Sequence, residues 1–407
     1  MPWIQQHVFV VLLMFLTTIC VSYSSYHEVI RNHTYLKEHS RQIETILSWD
    51  KIEFDLNEKL KHEDHVEYIY ENNLLGNVRI YNKHIIISVP RYKDGVPSTL
   101  NVVPTHRKDT HNMLHLTSNG HFLNSPKLRP FPSLEANQIG NCTSLQNVLA
   151  IEIDPFGRLW VVDSGTSSIY SYSNKGKSTS CNAKMQIYQL GPHTHDTPKL
   201  LTSYIFPRSI VSEKSVLMHM VLDFYGPSDG RNVFAYISDI TLGSIVVFSW
   251  EKQSSWKKTA TQMYYSGVSF KILDQWAKTR SGVRGLALEA AQQDKEDERR
   301  LYFGSLKPEL FSVSTIILKN EMLGENVTSY VNMVKNRNGY CDDMTSDSDG
   351  NIYFGILDKG CISKIKFTET RASPRSNQGF FVCSPDKLVW INSMFWNEGY
   401  LYIVTNR

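Results

Sequence analysis

Residues 151–165 read IEIDPFGRLWVVDSG, two short strands around one turn. Ile151, Ile153, Leu159, Val161 and Val162 supply β-branched and aliphatic side chains suited to a pleated surface. Asp154-Pro155-Phe156-Gly157 supplies the turn. Two strands cannot bury a core alone, so such a unit is stable only if it recurs.

It recurs. HIIISVPRYKDG starts at His84, NVFAYISDITLG at Asn232, and GLALEAAQQDKEDERRLYFGSL at Gly285. TSDSDGNIYFGILDKG starts at Thr345, and LVWINSMFWNEGYLYIVTNR closes the chain. The shared grammar is an apolar strand, a turn with Asp, Gly or charges, then an aromatic-aliphatic strand. Ile85, Leu159, Val233, Leu301, Ile352 and Leu401 are equivalent points, spaced by 74, 74, 68, 51 and 49 residues. Six copies at blade-like spacing predict an all-β fold, a six-bladed β-propeller whose sheets pack face to face and carry long loops. A double-sheet sandwich is the competing fold, and six similar hairpins fit it poorly.

Helical periodicity is scarce. Tyr26–Leu47 can form a short helix, and SFKILDQWAKTRSG, from Ser269, a helical turn or two. Trp49–Leu56, WDKIEFDL, alternates like a strand but has no hairpin partner. It is expected to enter the last blade and close the ring by covering a sheet edge. The expected division is a leader at 1–24, a lead-in at 25–48 and one propeller at 49–407.

The leader reading rests on VFVVLLMFLTTICV, Val8–Val21, an apolar run too short for a comfortable membrane span and followed by Ser22-Tyr23-Ser24. No later segment is apolar enough to span a bilayer, so a secreted, extracellular protein is expected. Glycosylation sequons stand at Asn32, Asn141 and Asn326. Net charge is +3, so no strong field argues for nucleic acid. Cys142, Cys181, Cys341, Cys361 and Cys383 remain after the leader, so at least one lacks an intramolecular partner.

Taken together, SVPRYKDGVPSTLNVV, CTSLQNVLAIEIDPFGRLWVVDSG, AYISDITLGSIVVFSW, LYFGSLKPELFSVST, DSDGNIYFGIL and LYIVTNR resemble the insect yellow and major royal jelly protein family from about Trp49 onward. The resemblance implies a secreted six-bladed propeller. It also implies several incompatible functions: cuticle pigmentation, conversion of dopachrome-type melanin precursors, binding of biogenic amines such as serotonin in the central channel, and nutrient, structural or eggshell roles. It implies a Cys142–Cys181 bridge. For the others, strand geometry decides: CISKIKF and QGFFVCS read as the third and fourth strands of one blade, and antiparallel pairing about Ala372 sets Cys361 opposite Cys383. That leaves Cys341 free. The competing pairing is Cys341–Cys361 with Cys383 free.

No catalytic motif of the Gly-x-Ser-x-Gly, His-Glu-x-x-His or phosphate-loop type is present. His193–Asp196 (HTHD), and His106, His111, His115 and His121, read as loops rather than metal sites, and no metal or cofactor is expected. The acidic turns DSDG, Asp347–Gly350, and PSDG, Pro227–Gly230, lack the other ligands of a calcium loop. The charge run Gln292–Arg300 reads as a solvated turn. A propeller points instead to its channel, where innermost strands start at one mouth. Those starts offer Asn147, His219, Arg284, Asp342, Asp343, Asn392 and Ser393, with Asn406 beside them, as candidate ligand contacts. A carboxylate pair there can hold an amine, and nearby aromatics can stack on a ring. Three readings stay open: a binding protein for a small aromatic amine or catechol-derived compound, a dopachrome-type isomerase with Asp or His moving the proton, or a structural cuticle or eggshell protein. Oligomeric state is not legible.

Overall fold

The computed structural model describes residues 8–13, 43–56, 67–82, 84–103, 123–167, 180–193, 196–224, 230–291, 298–367 and 376–406. Each expected repeat folds as a sheet, antiparallel throughout in blades one to five, with one parallel pair at the outer edge of blade six. Blade one comprises Val78–Tyr81, His84–Ser88, Leu100–Val102 and Arg129–Pro130. Blade two comprises Val148–Ile153, Arg158–Asp163, Lys184–Gln189 and Lys199–Ile205. Blade three comprises Leu217–Phe224, Val233–Asp239, Ser244–Ser249 and Ser254–Thr259. Blade four comprises Leu286–Leu288, Arg300–Phe303, Glu309–Ser314 and Asn332–Asn336. Blade five comprises Met344–Ser346, Asn351–Ile356, Cys361–Phe367 and Ser376–Cys383. Blade six pairs Trp390–Asn397 with Tyr400–Asn406 and takes its outer strands from the N-terminal part of the chain. The first strand of each blade touches the first strand of the next, and blade six touches blade one, so the ring closes.

Side-chain alternation explains why RLWVVD is apolar at almost every position. Leu159 and Val161 pack toward blade one, whereas Trp160 and Val162 pack toward blade three. Each gap between neighbouring blades holds one such cluster, and full burial of a large apolar side chain contributes roughly 1.5–3 kcal/mol. The turn repeats as well. Asp154 Oδ1 accepts from Phe156 N and Arg158 N, and its Oδ2 accepts from Trp160 Nε1 at 2.9 Å. Asp347 plays the same part in blade five, accepting from Asp349 N, Asn351 N and Tyr353 OH. Gly157 and Gly350 sit at φ +71° and +78°, where a glycine is favoured. The acidic turn DSDG is thus a hairpin device; Pro227–Asp229 lie outside the described residues.

Two local readings are corrected. The strand of this region is Ile43–Trp49, not Trp49–Leu56, so the propeller's sheet begins before residue 49, and it joins the last blade through Val8–Leu13 rather than by pairing with Tyr400–Asn406. Ile46, Leu47 and Trp49 are buried, and Trp49 Nε1 bonds Pro126 O at 2.7 Å. Among the described residues 50–56 Phe54 makes a bridge, to Leu128. Ile43–Leu47 is therefore strand, and 26–42 lie outside the described residues. Val8–Leu13, inside the expected leader, is placed between Tyr400–Asn406 and Ile43–Trp49. Removal of a leader near Ser24 would take that strand out of the mature sheet.

The second correction concerns SFKILDQWAKTRSG. Ser266–Ile272 and Gln275–Ser281 form a hairpin between blades three and four. Val268, Phe270 and Ile272 alternate with exposed positions, which is strand periodicity, and Leu273-Asp274 turn the chain at φ +46° and +61°. Among the described residues a helix is found at Thr315–Lys319, and none is long and apolar enough to cross a membrane.

Both expected bridges are present. Cys142–Cys181 has a Cα separation of 5.3 Å. Cys361 lies opposite Cys383 in the strand register and is bonded to it. Cys341 is free and fully buried, and burial pushes its thiol up to about 11. Iodoacetamide at pH 8 is therefore expected to leave Cys341 unmodified in the native protein and to label it once urea unfolds the chain. Peptide mapping reads this; label on Cys341 before unfolding, or its appearance in a disulfide-linked peptide, would count against it.

Candidate functional site

All six innermost strands converge on one cavity of about 400 Å³ in the central channel. Blade one contributes Arg79 and Tyr81, blade two Glu152, and blade three His219. Blade four contributes Leu286, blade five Asp343 and Thr345, and blade six Phe395, Trp396 and Glu398. These strands are short and mainly apolar, so each polar group stands out against its own strand.

Two charge pairs line the wall. Arg79 Nε donates to Glu152 Oε1 at 2.9 Å, and its guanidinium lies 5.0 Å from the centre of the Phe395 ring. Deeper in, His219 Nδ1 stands 3.2 Å from Asp343 Oδ1, with both side chains almost wholly buried. Asp343 also accepts from Met344 N at 2.8 Å and Met394 N at 2.7 Å. Burial pushes the Asp343 carboxyl up to about 8, against the pull of those amides and Arg79. Burial, helped by Arg284 and Arg79, holds His219 well below the usual imidazole range.

The pair therefore holds one shared proton at neutral pH. With that proton on Asp343, the acid donates to Nδ1 and the ring hydrogen sits on Nε2. With it on His219, Nε2 is again protonated. Nε2 has no partner among the described residues, so with the ring hydrogen there this cavity-lining residue presents an N–H donor. Loss of that proton at higher pH would turn Nδ1–H to the carboxylate and make Nε2 an acceptor.

The expected contact residues divide. Asp343 and His219 line the cavity. Arg284 forms a buried pair with Asp342, which also accepts from Trp390 Nε1 at 2.8 Å. Asn147 Nδ2 donates to Thr166 O, and its Oδ1 accepts from Arg91 N. Asn392 Nδ2 donates to Leu75 O and Gly76 O, and Asn406 Nδ2 to Leu75 O, which ties blade six to the chain entering blade one. Ser393 is buried with its hydroxyl unpartnered. Arg79, Glu152, Tyr81, Phe395, Trp396 and Glu398 were missed. A lone charge within an apolar first strand, as in NVRIYN and IEID, was the available signal.

His193 N bonds the Asp196 carboxylate, while His195, His106, His111, His115 and His121 lie outside the described residues. Among the described residues no cluster of His, Cys, Asp or Glu is arranged to hold a metal. Asn141 and Asn326 are exposed, each accepting from the hydroxyl of the Thr two residues on at 2.7 Å. Asn32 and the run 292–297 lie outside the described residues.

The family model described as Major royal jelly protein matches residues 146–407. The chain belongs to that family. Protein yellow of Drosophila erecta is 27% identical over 336 residues, covering 77% of this chain and 56% of the relative. Protein yellow of Drosophila madeirensis is also 27% identical, over 77% of this chain and 53% of that protein. The chain thus spans about half the length of these relatives. A streptogramin B lyase structure is 10% identical with a TM-score of 0.38, covering 83% of this chain and 96% of that one. Within the royal jelly family match, Glu152, His219, Asp343 and Phe395 all fall inside the matched range, and Arg79 falls before it.

Proposed function

We propose that this secreted, yellow-like propeller binds a small aromatic amine or catechol-derived compound in its central channel. The observation that carries the reading is one cavity combining carboxylates, aromatic faces and a buried N–H donor. A protonated amine pairs with Glu398 or shares Glu152 with Arg79, its ring packs beside Phe395, Trp396 and Tyr81, and its oxygen end accepts from His219 Nε2. The two disulfides suit an oxidising, extracellular compartment. A role in pigmentation or cuticle biology, with glycans on Asn141 and Asn326, fits that setting.

Calorimetric titration with serotonin and dopamine tests this. Micromolar binding is expected at pH 7, about tenfold weaker in Glu152→Gln, which is a change of roughly 1.4 kcal/mol. Absence of binding to either amine would remove the reading and favour a structural role.

The buried Asp343–His219 pair supports a second reading, a dopachrome-type isomerase. There His219 Nε2 takes a carbon-bound proton while another proton lands on the quinone oxygen, so the reaction is a net isomerisation. The two readings oppose each other in pH. Ligand affinity through a donating Nε2 falls above pH 8, whereas a rate that needs a bare Nε2 rises there. Absorbance decay of dopachrome across that range separates them.

A further inference from the structure

The hairpin Ser266–Ser281 stands outside the blades and is two-faced. Its inner face packs on blades five and six: Phe270 stacks on Tyr340 at 4.7 Å and lies 6.2 Å from Trp390. Val268, Ile272 and Ala277 join the same cluster. Its outer face carries the register pairs Gly267–Arg280, Ser269–Lys278 and Lys271–Trp276. All six of those residues are exposed.

Three cations therefore share this face; among the described residues its strand positions carry no carboxylate, and Asp274 stands at the turn. Among the described residues Lys271, Lys278 and Arg280 have no ion-pair partner; Lys271 lies over the Trp276 ring at 5.5 Å and Arg280 over Tyr265 at 5.0 Å. Gly267 and Ser269 are small, so opposite Lys278 and Arg280 the face is shallow and open. Trp276 is 64% exposed and Tyr265 39%, a large apolar area to leave in water beside unneutralised charge.

We propose that this outer face is a docking site for an acidic polysaccharide. The cations pair with its sulfate or carboxylate groups, and the small side chains of Gly267 and Ser269 leave a sugar ring room to lie between them. Trp276 and Tyr265, one toward each end of the stripe, stack on the apolar faces of flanking sugars. Cations set across the flat of the sheet beside small residues suit a chain laid along the face. The site is separate from the channel cavity, with which it shares no lining residue.

Heparin is the probe, with neutral dextran and phosphatidylserine vesicles as comparisons, on the full chain at 0.15 M salt. Wild type is expected to bind heparin with log Kd linear in log salt, and to leave dextran unbound. Lys278→Glu/Arg280→Glu is expected to weaken heparin binding at least tenfold, and Trp276→Ala several-fold, with thermal unfolding and amine binding unchanged. Failure of wild type to bind heparin, or equal binding by the double variant, would overturn the proposal. So would vesicle binding that the double variant loses while heparin binding persists.

Discussion

Unfolding free energy is expected to fall by about 2 kcal/mol between pH 6.5 and 8, and this fall is expected to vanish in Asp343→Ala. Stability rises with pH wherever the unfolded chain binds more protons than the native one, and falls where it binds fewer. Asp343 is raised to about 8 in the native protein, so its contribution is complete below the unfolded aspartate value and lost as pH rises through 8. His219 is lowered, so its effect has the opposite sign and ends near the ordinary imidazole value of about 6.5. The two offset each other below pH 6.5. Above it Asp343 acts alone, at about 1.4 kcal/mol per pH unit. The alanine variant also strands Met344 N, Met394 N and the imidazole, so it should be less stable by roughly 3–5 kcal/mol at pH 6.5. Urea titrations at several pH values measure both. A slope surviving in the variant would assign it to another group.

Arg91→Lys is expected to cost roughly 3–5 kcal/mol although charge is kept. The Arg91 guanidinium is fully buried and donates to five backbone carbonyls: Val96, Leu145, Gln146, Pro97 and Asn137. Burial lowers it only to about 10, so it stays charged at neutral pH. An ammonium has three donors on one atom and cannot reach five carbonyls set around a planar fork. Exposed Arg208, which bonds Asn182 and pairs with Glu213, is the control, and Arg208→Lys should change stability by less than about 0.5 kcal/mol. Denaturant midpoints compare the two, and a near-neutral Arg91→Lys would show that water replaces the lost donors.

These residues show what was legible. The block PRYKDGVPSTL marked the family, and its reason is now physical: Arg91 threads carbonyls from two loops, and a side chain at Gly95, φ +81°, would strike Ile69. Antiparallel pairing named the Cys361–Cys383 partners, but the observed register reaches them through a bulge the sequence did not show: Phe367 pairs with Ser376, and a shift between Ile362 and Ser363 brings the two cysteines opposite. Leu273-Asp274 hid its hairpin because positive φ there carries no Gly or Asn signature. The cavity stayed hidden for another reason. Arg79, Glu152 and Phe395 lie in the middle or late part of their strands, and which part of a strand meets the channel depends on how the ring assembles.

Closure by six separate segments has an evolutionary consequence. The cavity wall draws on residues from Arg79 to Glu398, and the chain between them holds the strands in place through backbone hydrogen bonds. A substitution at one wall position changes one sector of the pocket and leaves the ladder that carries it intact. Such a pocket can be re-addressed one sector at a time, exchanging a carboxylate in one blade or an aromatic in another, without passing through an unfolded intermediate. Lineages that share the ring are therefore free to part company in what they hold, and the cheapest route to a new cargo runs through Glu152, Phe395 and Trp396 rather than through the buried Asp343.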